Sequence, residues 1–166
     1  MTTYHTLTDG SSTWKVSLHT PDDCPEGKPH GSEAICMIDN DQTVIVKNTS
    51  GRLNTPGGHP EPGESSEQTM IREVREEAVA EVTTWQLLAY ARSECVAGAR
   101  EGHVMVRDMY IARVELLPWI QPPAEIVERQ VVPLAHLPAI MSADWLGLDA
   151  FSEELVALAK IGLAEI

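Results

Sequence analysis

Short apolar runs separated by polar turns dominate this chain and predict β-strands. The clearest pair is Ala34–Ile38 and Thr43–Val46, which flank the polar tetrapeptide Asp39–Gln42 and predict a hairpin. Two later runs are separated by a loop that holds Gly98 and Gly102, and they are expected to pair with each other. The predicted strands outside the hairpin are Trp14–His19, Trp85–Ala91, Val104–Val114 and Ile126–Val132.

One helix is predicted in the middle of the chain. Ser65 and Gln68 have the spacing of a capping box, and from Glu67 the chain contains no Gly or Pro until Gly98. We expect this helix to continue to Glu81, because no residue that favours a helix end occurs before it. Its buried stripe is predicted at Ile71, Val74 and Ala78.

A second helix is predicted over Phe151–Ile161, where Ser152 offers a start. Strands that surround one central helix, with another helix at the end, indicate a mixed β-sheet between helices, an α/β fold. We expect residues 1–166 to form one domain, in which residues 1–31 are a polar N-terminal extension. Trp14–His19 is the one short strand predicted there, and Pro21–Gly31 is predicted to be a loop. The inward face of the second helix is predicted at Leu155, Leu158 and Ala159.

The composition limits the partners and the cellular location. A formal net charge of −13 over 166 residues argues against nucleic acid as a partner, because phosphate backbones require basic surface. An anionic substrate then needs a metal ion that inverts the local field. Three widely spaced cysteines indicate free thiols in a reducing compartment. No apolar stretch approaches membrane-spanning length, so we expect a cytoplasmic protein without a membrane partner.

Five glutamates are concentrated in Gly63–Glu77, directly after a glycine-rich turn. Glu73, Glu76 and Glu77 have i, i+3, i+4 spacing and share one helix face. Like charges at this spacing cost about 0.2–0.5 kcal/mol per pair, so a positive group is expected among them. A hard cation such as Mg²⁺ prefers oxygen ligands of this kind. A solvated acidic surface helix would explain these glutamates without a function, but not the adjoining glycine-rich turn.

The charged positions match a family pattern. Five residues separate Gly58 from Glu64, and seven more separate Glu64 from Arg72–Glu77. This spacing resembles the Nudix box, which here covers Gly58–Ala80. The resemblance implies an α/β/α sandwich and a pyrophosphohydrolase. This chain differs from the family pattern at Val79, where the family usually has Gly. As the resemblance implies, Mg²⁺ or Mn²⁺ is held by Glu73, Glu76, Glu77 and a backbone carbonyl of Gly57 or Gly58, and Arg72 pairs with Glu64.

The same resemblance implies the reaction, which is cleavage of a phosphoanhydride in a nucleoside diphosphate linked to another moiety. Glu73 and Glu76 are then catalytic. Glu125, just before the last predicted strand, is the first choice for the general base, with Glu128 and Glu101 as alternatives.

Substrate recognition leaves several candidates open. His59 lies inside the glycine-rich turn, Arg100 lies in the Gly98–Gly102 loop, and Arg52 precedes the turn. The partner implied is a small nucleotide-type molecule, and the resemblance makes a homodimer plausible. A Nudix-fold module that senses a nucleotide without cleaving it is the main alternative function, and a structural Ca²⁺-binding protein ranks last because no EF-hand spacing occurs. Further candidates for phosphate binding are Arg92, Arg107 and Arg129.

Overall fold

A computed structural model describes residues 2–122, 125–144 and 149–166 of the chain, and side chains within this set except those of residues 142–144. Nine strands and three α-helices are found in these residues. The strands are β1 (Tyr4–Asp9), β2 (Ser12–His19), β3 (Lys28–Met37), β4 (Gln42–Asn48), β5 (Leu53–Asn54), β6 (Gly57–Gly58), β7 (Ala80–Ala97), β8 (Val104–Leu116) and β9 (Ile126–Pro133). The helices are α1 (Ser66–Glu73), which continues as a π-helical turn (Val74–Ala78), α2 (Leu137–Asp144) and α3 (Asp149–Gly162), with short 3₁₀ turns at Leu134–His136 and Leu163–Glu165.

The nine strands form one mixed sheet with the order β1-β2-β7-β8-β3-β4-β5, in which β6 pairs with β3 and β9 pairs with β4. Strands β3 and β8 are parallel, and the other pairs are antiparallel. The predicted hairpin is present, with Cys36 opposite Val44. The two long predicted runs also pair as expected, with Trp85 opposite Ala112 in β7 and β8.

Alternating side chains of the sheet separate two hydrophobic cores. On one face Ile35 and Met37 pack with Phe151 and Leu155 of α3. On the other face the alternate residues of β3 pack against α1 and the π-helical turn. The sheet therefore lies between helices, and the prediction of a mixed-sheet α/β/α sandwich is confirmed. No helix in the described ranges is both long and apolar enough to cross a bilayer.

The N-terminal part differs from the expectation of one short strand and a loop. Residues 4–19 form a β1–β2 hairpin, and β2 pairs with β7 along Thr13–His19. Strand β3 begins at Lys28, inside the predicted loop, because Lys28 and Pro29 find parallel partners in Met105 and Val106 of β8. Pairing with distant strands therefore orders a segment whose own composition is typical of a loop. The single-domain assignment of residues 1–166 stays a prediction.

The central helix begins as predicted and ends earlier than predicted. The Ser65 hydroxyl accepts from Gln68 N, and the Gln68 side chain accepts from Ser65 N, which completes the capping box. The buried stripe includes Met70 in place of the half-buried Ile71. The expected continuation to Glu81 is wrong, because Val79 adopts the left-handed conformation (φ 51°, ψ 55°) and β7 begins at the next residue.

Arg129 explains how a β-branched residue ends this helix. One nitrogen of its guanidinium, Nη1, donates to the carbonyl oxygens of Ala78, Val79 and Leu117 at 3.0, 2.9 and 3.1 Å. The Ala78 carbonyl is one of those that a helix end leaves without an intrahelical partner. The Val79 carbonyl also accepts from Leu117 N at 3.0 Å, so Arg129 adds to a backbone contact there. A cation near the C-terminus of a helix also interacts favourably with the helix dipole. The ring of Trp119 lies 5.3 Å from the guanidinium carbon and covers it.

The C-terminal helix contains the predicted inward residues but not the predicted start. Leu155 and Ala159 are fully buried, and Leu158 packs partly against the same core. The helix begins at Asp149, so Ser152 is buried within its first turn rather than capping it. Helix α2 was not predicted from the pattern.

Candidate functional site

The glycine-rich turn brings bare backbone against the acidic helix. Strand β6 pairs with β3, with Gly58 opposite Ser32 and Gly57 opposite Glu33. A β-carbon at Gly57 would lie 2.5 Å from the Ser32 carbonyl oxygen, and one at Gly58 would lie 2.4 Å from Glu73 Oε1. The clash at Gly57 is with backbone, so only glycine fits there, and Gly58 lies directly against the Glu73 carboxylate.

Arg72 joins the turn to the helix. Its Nε donates to Glu64 Oε1 at 2.7 Å, and its Nη2 donates to the His59 carbonyl oxygen at 2.9 Å. Its Nη1 donates to Glu73 Oε1 at 2.8 Å and to Glu76 Oε2 at 3.0 Å. The hydrogen bond from Arg72 is the main reason that the pKa of Glu64 falls to about 2, and the same carboxylates raise the pKa of the guanidinium.

Glu77 lies where several carboxylates converge. It accepts a hydrogen bond from Gly57 N at 3.0 Å. Burial, followed by the nearby charges of Glu73, Glu33 and Glu125, raises its pKa to about 7, and the Gly57 N–H opposes this shift only in part. The site therefore concentrates negative charge that the described side chains only partly balance.

An acidic cleft of about 230 Å³ opens beside Glu77, and its lining includes Glu33, Gly57, Glu125, Arg52 and Arg107. We call this space the acidic cleft. Glu33 is almost fully buried, accepts from Arg107 Nη1 at 3.0 Å and also accepts from the Thr55 hydroxyl.

Glu33 was not among the residues predicted from the sequence, and Arg107 was only one of several candidate arginines. A partial signal for Glu33 existed in the sequence, because it directly precedes the apolar run Ala34–Ile38, where a buried charge requires a partner.

The donors fit a hard divalent cation in kind. Carboxylate and backbone carbonyl oxygens are the ligands that Mg²⁺ and Mn²⁺ prefer, and the glutamates of α1 lie beside the glycine-rich turn. Among the residues that the structure describes, however, no three His, Cys, Asp or Glu side chains are arranged to hold a metal ion. Arg72 engages Glu73 and Glu76 instead, so its guanidinium supplies the positive charge among these glutamates.

Glu76 and the three candidate general bases lie in different parts of the structure. The Glu76 side chain is 57% exposed and directed to Arg72, and it does not line the acidic cleft. Glu125 lines the cleft, whereas Glu128 pairs with Lys47 at 3.3 Å on β9 and Glu101 lies in the β7–β8 turn.

The structure does not bring the three candidate substrate-binding residues into one space. Arg52 lines both the acidic cleft and a second pocket, and Arg100 lines only the second. The His59 ring packs edge-on against His30, with centroids 4.6 Å apart.

Comparison with known proteins agrees with this fold. The chain resembles the structures of a Bacillus subtilis pyrophosphohydrolase mutant (24% identity, 73% of this chain and 72% of the other, TM-score 0.61) and of a Nudix hydrolase from Nitrosomonas europaea (22%, 82% and 90%, 0.61). It also resembles the Nudix domain of Shewanella oneidensis NrtR complexed with ADP ribose (19%, 80% and 91%, 0.54). No curated protein sequence matched significantly. The family model of the NUDIX domain matches residues 29–151, which is most of the chain, and the chain therefore belongs to the Nudix hydrolase family.

Proposed function

We propose that this protein is a Mg²⁺- or Mn²⁺-dependent pyrophosphohydrolase that cleaves the phosphoanhydride of a nucleoside diphosphate linked to another moiety. The observation that carries the proposal is the convergence of Glu77, Glu125 and Gly57 on one cleft that also contains two arginines. An acidic wall facing cationic side chains suits a polyphosphate that arrives with a divalent cation.

The metal would be held by Glu73, Glu76 and Glu77 together with a backbone carbonyl of Gly57 or Gly58. When bound, it neutralises phosphate charge and lowers the pKa of a coordinated water. Arg72 keeps the glycine-rich turn against the helix, because it contacts both the His59 carbonyl and the helix carboxylates. Phosphoryl transfer depends mainly on such positioning and charge stabilisation.

Glu125 is proposed as the general base. It lies immediately before β9 on the wall of the cleft, and its side chain is exposed, so it can accept a proton from water there. Glu128 is a weaker candidate because it already pairs with Lys47 and with Gln130. Arg107 and Arg52 face the same space and would bind phosphate oxygens.

A non-catalytic nucleotide sensor is the second candidate. One observation favours it, namely that Arg72 already engages Glu73 and Glu76, which gives both carboxylates a cationic partner without a metal. In that case Arg72, Glu64, Glu73 and Glu76 would only hold the glycine-rich turn against α1.

The deciding experiment measures turnover of a panel of nucleoside diphosphate conjugates with Mg²⁺, Mn²⁺ or EDTA, and identifies the products by mass. The proposal predicts metal-dependent release of a nucleoside monophosphate and a second phosphorylated product. Tight binding of a panel member without product under every metal would favour the sensor. A cytoplasmic location and a homodimer remain predictions.

A further inference from the structure

A second pocket of about 340 Å³ lies on the face of the sheet that packs against α3, and no residue of α1 lines it. We call it the hairpin pocket, because Leu7, Trp14 and Val16 of the β1–β2 hairpin form one wall. Ala91 of β7 and Met105 of β8 continue the lining along the neighbouring strands of the same sheet. Trp14 and Val16 belong to the hydrophobic core, so the wall is held rigidly. All three hairpin residues precede residue 29, where the match to the Nudix domain begins.

Cationic side chains connect the hairpin pocket with the acidic cleft. Arg52 and Arg107 line both spaces, so the two cavities meet at these arginines. Arg100, from the β7–β8 turn, is exposed and lines the hairpin pocket alone. Within the described residues the Arg100 side chain has neither a hydrogen bond nor an ion pair. The lining also includes one carboxylate, Asp9, against the three arginines. In a chain with a net charge of −13, this local excess of positive charge beside an apolar wall indicates an anionic ligand that also has an apolar part.

The size of the pocket limits the ligand. Ligand pockets typically measure about 300–1,000 Å³, so 340 Å³ suits one nucleoside rather than a whole dinucleotide. We infer that the hairpin pocket binds the nucleoside half of the substrate, with the base against Leu7 and Met105 and the attached phosphate at Arg52 and Arg107. The inference rests on the proposed function and extends it, since it makes the β1–β2 hairpin the element that selects the substrate.

The test measures binding without turnover. Isothermal titration calorimetry in EDTA is performed with the monophosphates of adenosine, guanosine, cytidine and uridine, and with ribose 5-phosphate as the probe that lacks a base. At least one nucleotide should bind roughly tenfold or more tightly than ribose 5-phosphate, because only the nucleotide reaches the apolar wall. Equal affinity for all five probes would overturn the inference.

Two variants locate the binding. Ser93 is a small, half-buried residue of β7 that lines the pocket, and Ser93→Phe should fill it and weaken nucleotide binding at least tenfold. Thr84→Phe adds the same ring at an exposed position of the same strand and should leave the affinity unchanged. If the two variants bind equally well, the nucleoside does not occupy the hairpin pocket.

Arg100→Ala is a second test variant in case Ser93→Phe fails to fold. It should fold, because Arg100 is exposed and its side chain has no hydrogen-bond or ion-pair partner among the described residues. A charge-assisted contact to the ligand is worth about 1.5–3 kcal/mol, so the affinity should fall roughly tenfold or more. Lys15→Ala removes a charge from the outward face of β2 and is the matched control. An Arg100→Ala protein that binds like the Lys15→Ala protein would overturn the role of Arg100.

Turnover separates this inference from the proposed function. If the wild type cleaves conjugates but Ser93→Phe changes neither KM nor nucleotide affinity, the inference fails while the function stands. If no conjugate is cleaved but Ser93→Phe abolishes nucleotide binding, the pocket assignment stands and the hydrolase proposal fails.

Discussion

At the scale of single residues, Glu77 makes the metal-free protein sensitive to pH. Its pKa in the folded protein is about 7, against 4.5 for an ordinary glutamate, chiefly because it is buried and then because other carboxylates surround it. A raised folded-state pKa means that folding favours the protonated form. The stabilising contribution is therefore complete below pH 4.5 and is lost as the pH rises through 7.

Glu77→Gln should remove this dependence. Between pH 4.5 and 7.5 the unfolding free energy of wild type should fall relative to that of the variant by an amount on the order of 3 kcal/mol. Urea denaturation in EDTA at several pH values measures the difference. Mg²⁺ added at pH 7.5 should stabilise wild type more than the variant, because Glu77 is a proposed ligand. Parallel pH profiles for the two proteins would show that Glu77 titrates normally.

Glu76 tests the metal site through activity. Although its side chain is 57% exposed and held by Arg72, we expect Glu76→Gln to lower kcat roughly 10²-fold or more while the fold is retained. Glu67→Gln changes an exposed glutamate in the first turn of the same helix and should leave kcat near the wild-type value. Steady-state kinetics and circular dichroism of both variants provide the measurement. Unchanged turnover in Glu76→Gln would exclude Glu76 from catalysis.

At the scale of elements, Arg72 holds the glycine-rich turn to α1. Arg72→Ala should lower Tm by several degrees at pH 7, because Glu64 and the His59 carbonyl lose their common partner. The pKa of Glu64 is lowered to about 2, so the stability from this pair is present above pH 4.5 and is lost as the pH falls towards 2. The Tm difference should therefore shrink over that range.

The control for this variant is Arg75→Ala, which removes an exposed arginine of the adjoining π-helical turn that pairs only with Glu81 among the described residues. Its Tm should stay close to that of wild type, since exposed ion pairs contribute little. Equal melting of the Arg72→Ala variant and wild type at pH 7 would contradict the role given to Arg72.

The end of the π-helical turn that continues α1 depends on Arg129. Arg129→Gln should reduce the unfolding free energy by about 2 kcal/mol, because the guanidinium serves three carbonyl oxygens at the point where Val79 reverses the chain. Lys47→Gln removes a cation from the neighbouring strand, where it makes one exposed ion pair with Glu128, and should cost far less.

Val79→Gly, introduced with Arg129→Gln, should recover part of the loss, since glycine adopts the left-handed conformation without strain. Denaturation curves of the single and double variants form a cycle that measures this coupling. Additive effects would mean that Arg129 does not support the conformation of Val79.

At the scale of the whole molecule, the net charge of −13 opposes an anionic substrate, whereas arginines attract it locally. Raising the ionic strength from about 10 to 100 mM shortens the screening length from about 30 to 10 Å, which weakens the long-range repulsion more than close contacts. At saturating Mg²⁺ we therefore expect kcat/KM to rise over this range. A steady fall would show that the local arginines dominate the encounter.

The sequence by itself determined the features that depend on residues a few positions apart. These are the capping box of Ser65 and Gln68, the shared face of Glu73, Glu76 and Glu77, and the apolar periods of the long strands. Each follows from the repeat of a helix or a strand, so spacing alone predicts it. The mixed sheet between helices followed from the order of these elements.

Only the tertiary structure decided where distant segments meet. The π-helical turn that continues α1 ends at Ala78, where Arg129, about fifty residues later, donates to the Ala78 carbonyl oxygen. The acidic cleft includes Glu33 because Arg107 on the neighbouring strand offsets its charge and the Thr55 hydroxyl donates a hydrogen bond to it. The β1–β2 hairpin becomes a pocket wall because β2 pairs with β7. These contacts join residues that no local period relates, and therefore they require the folded chain.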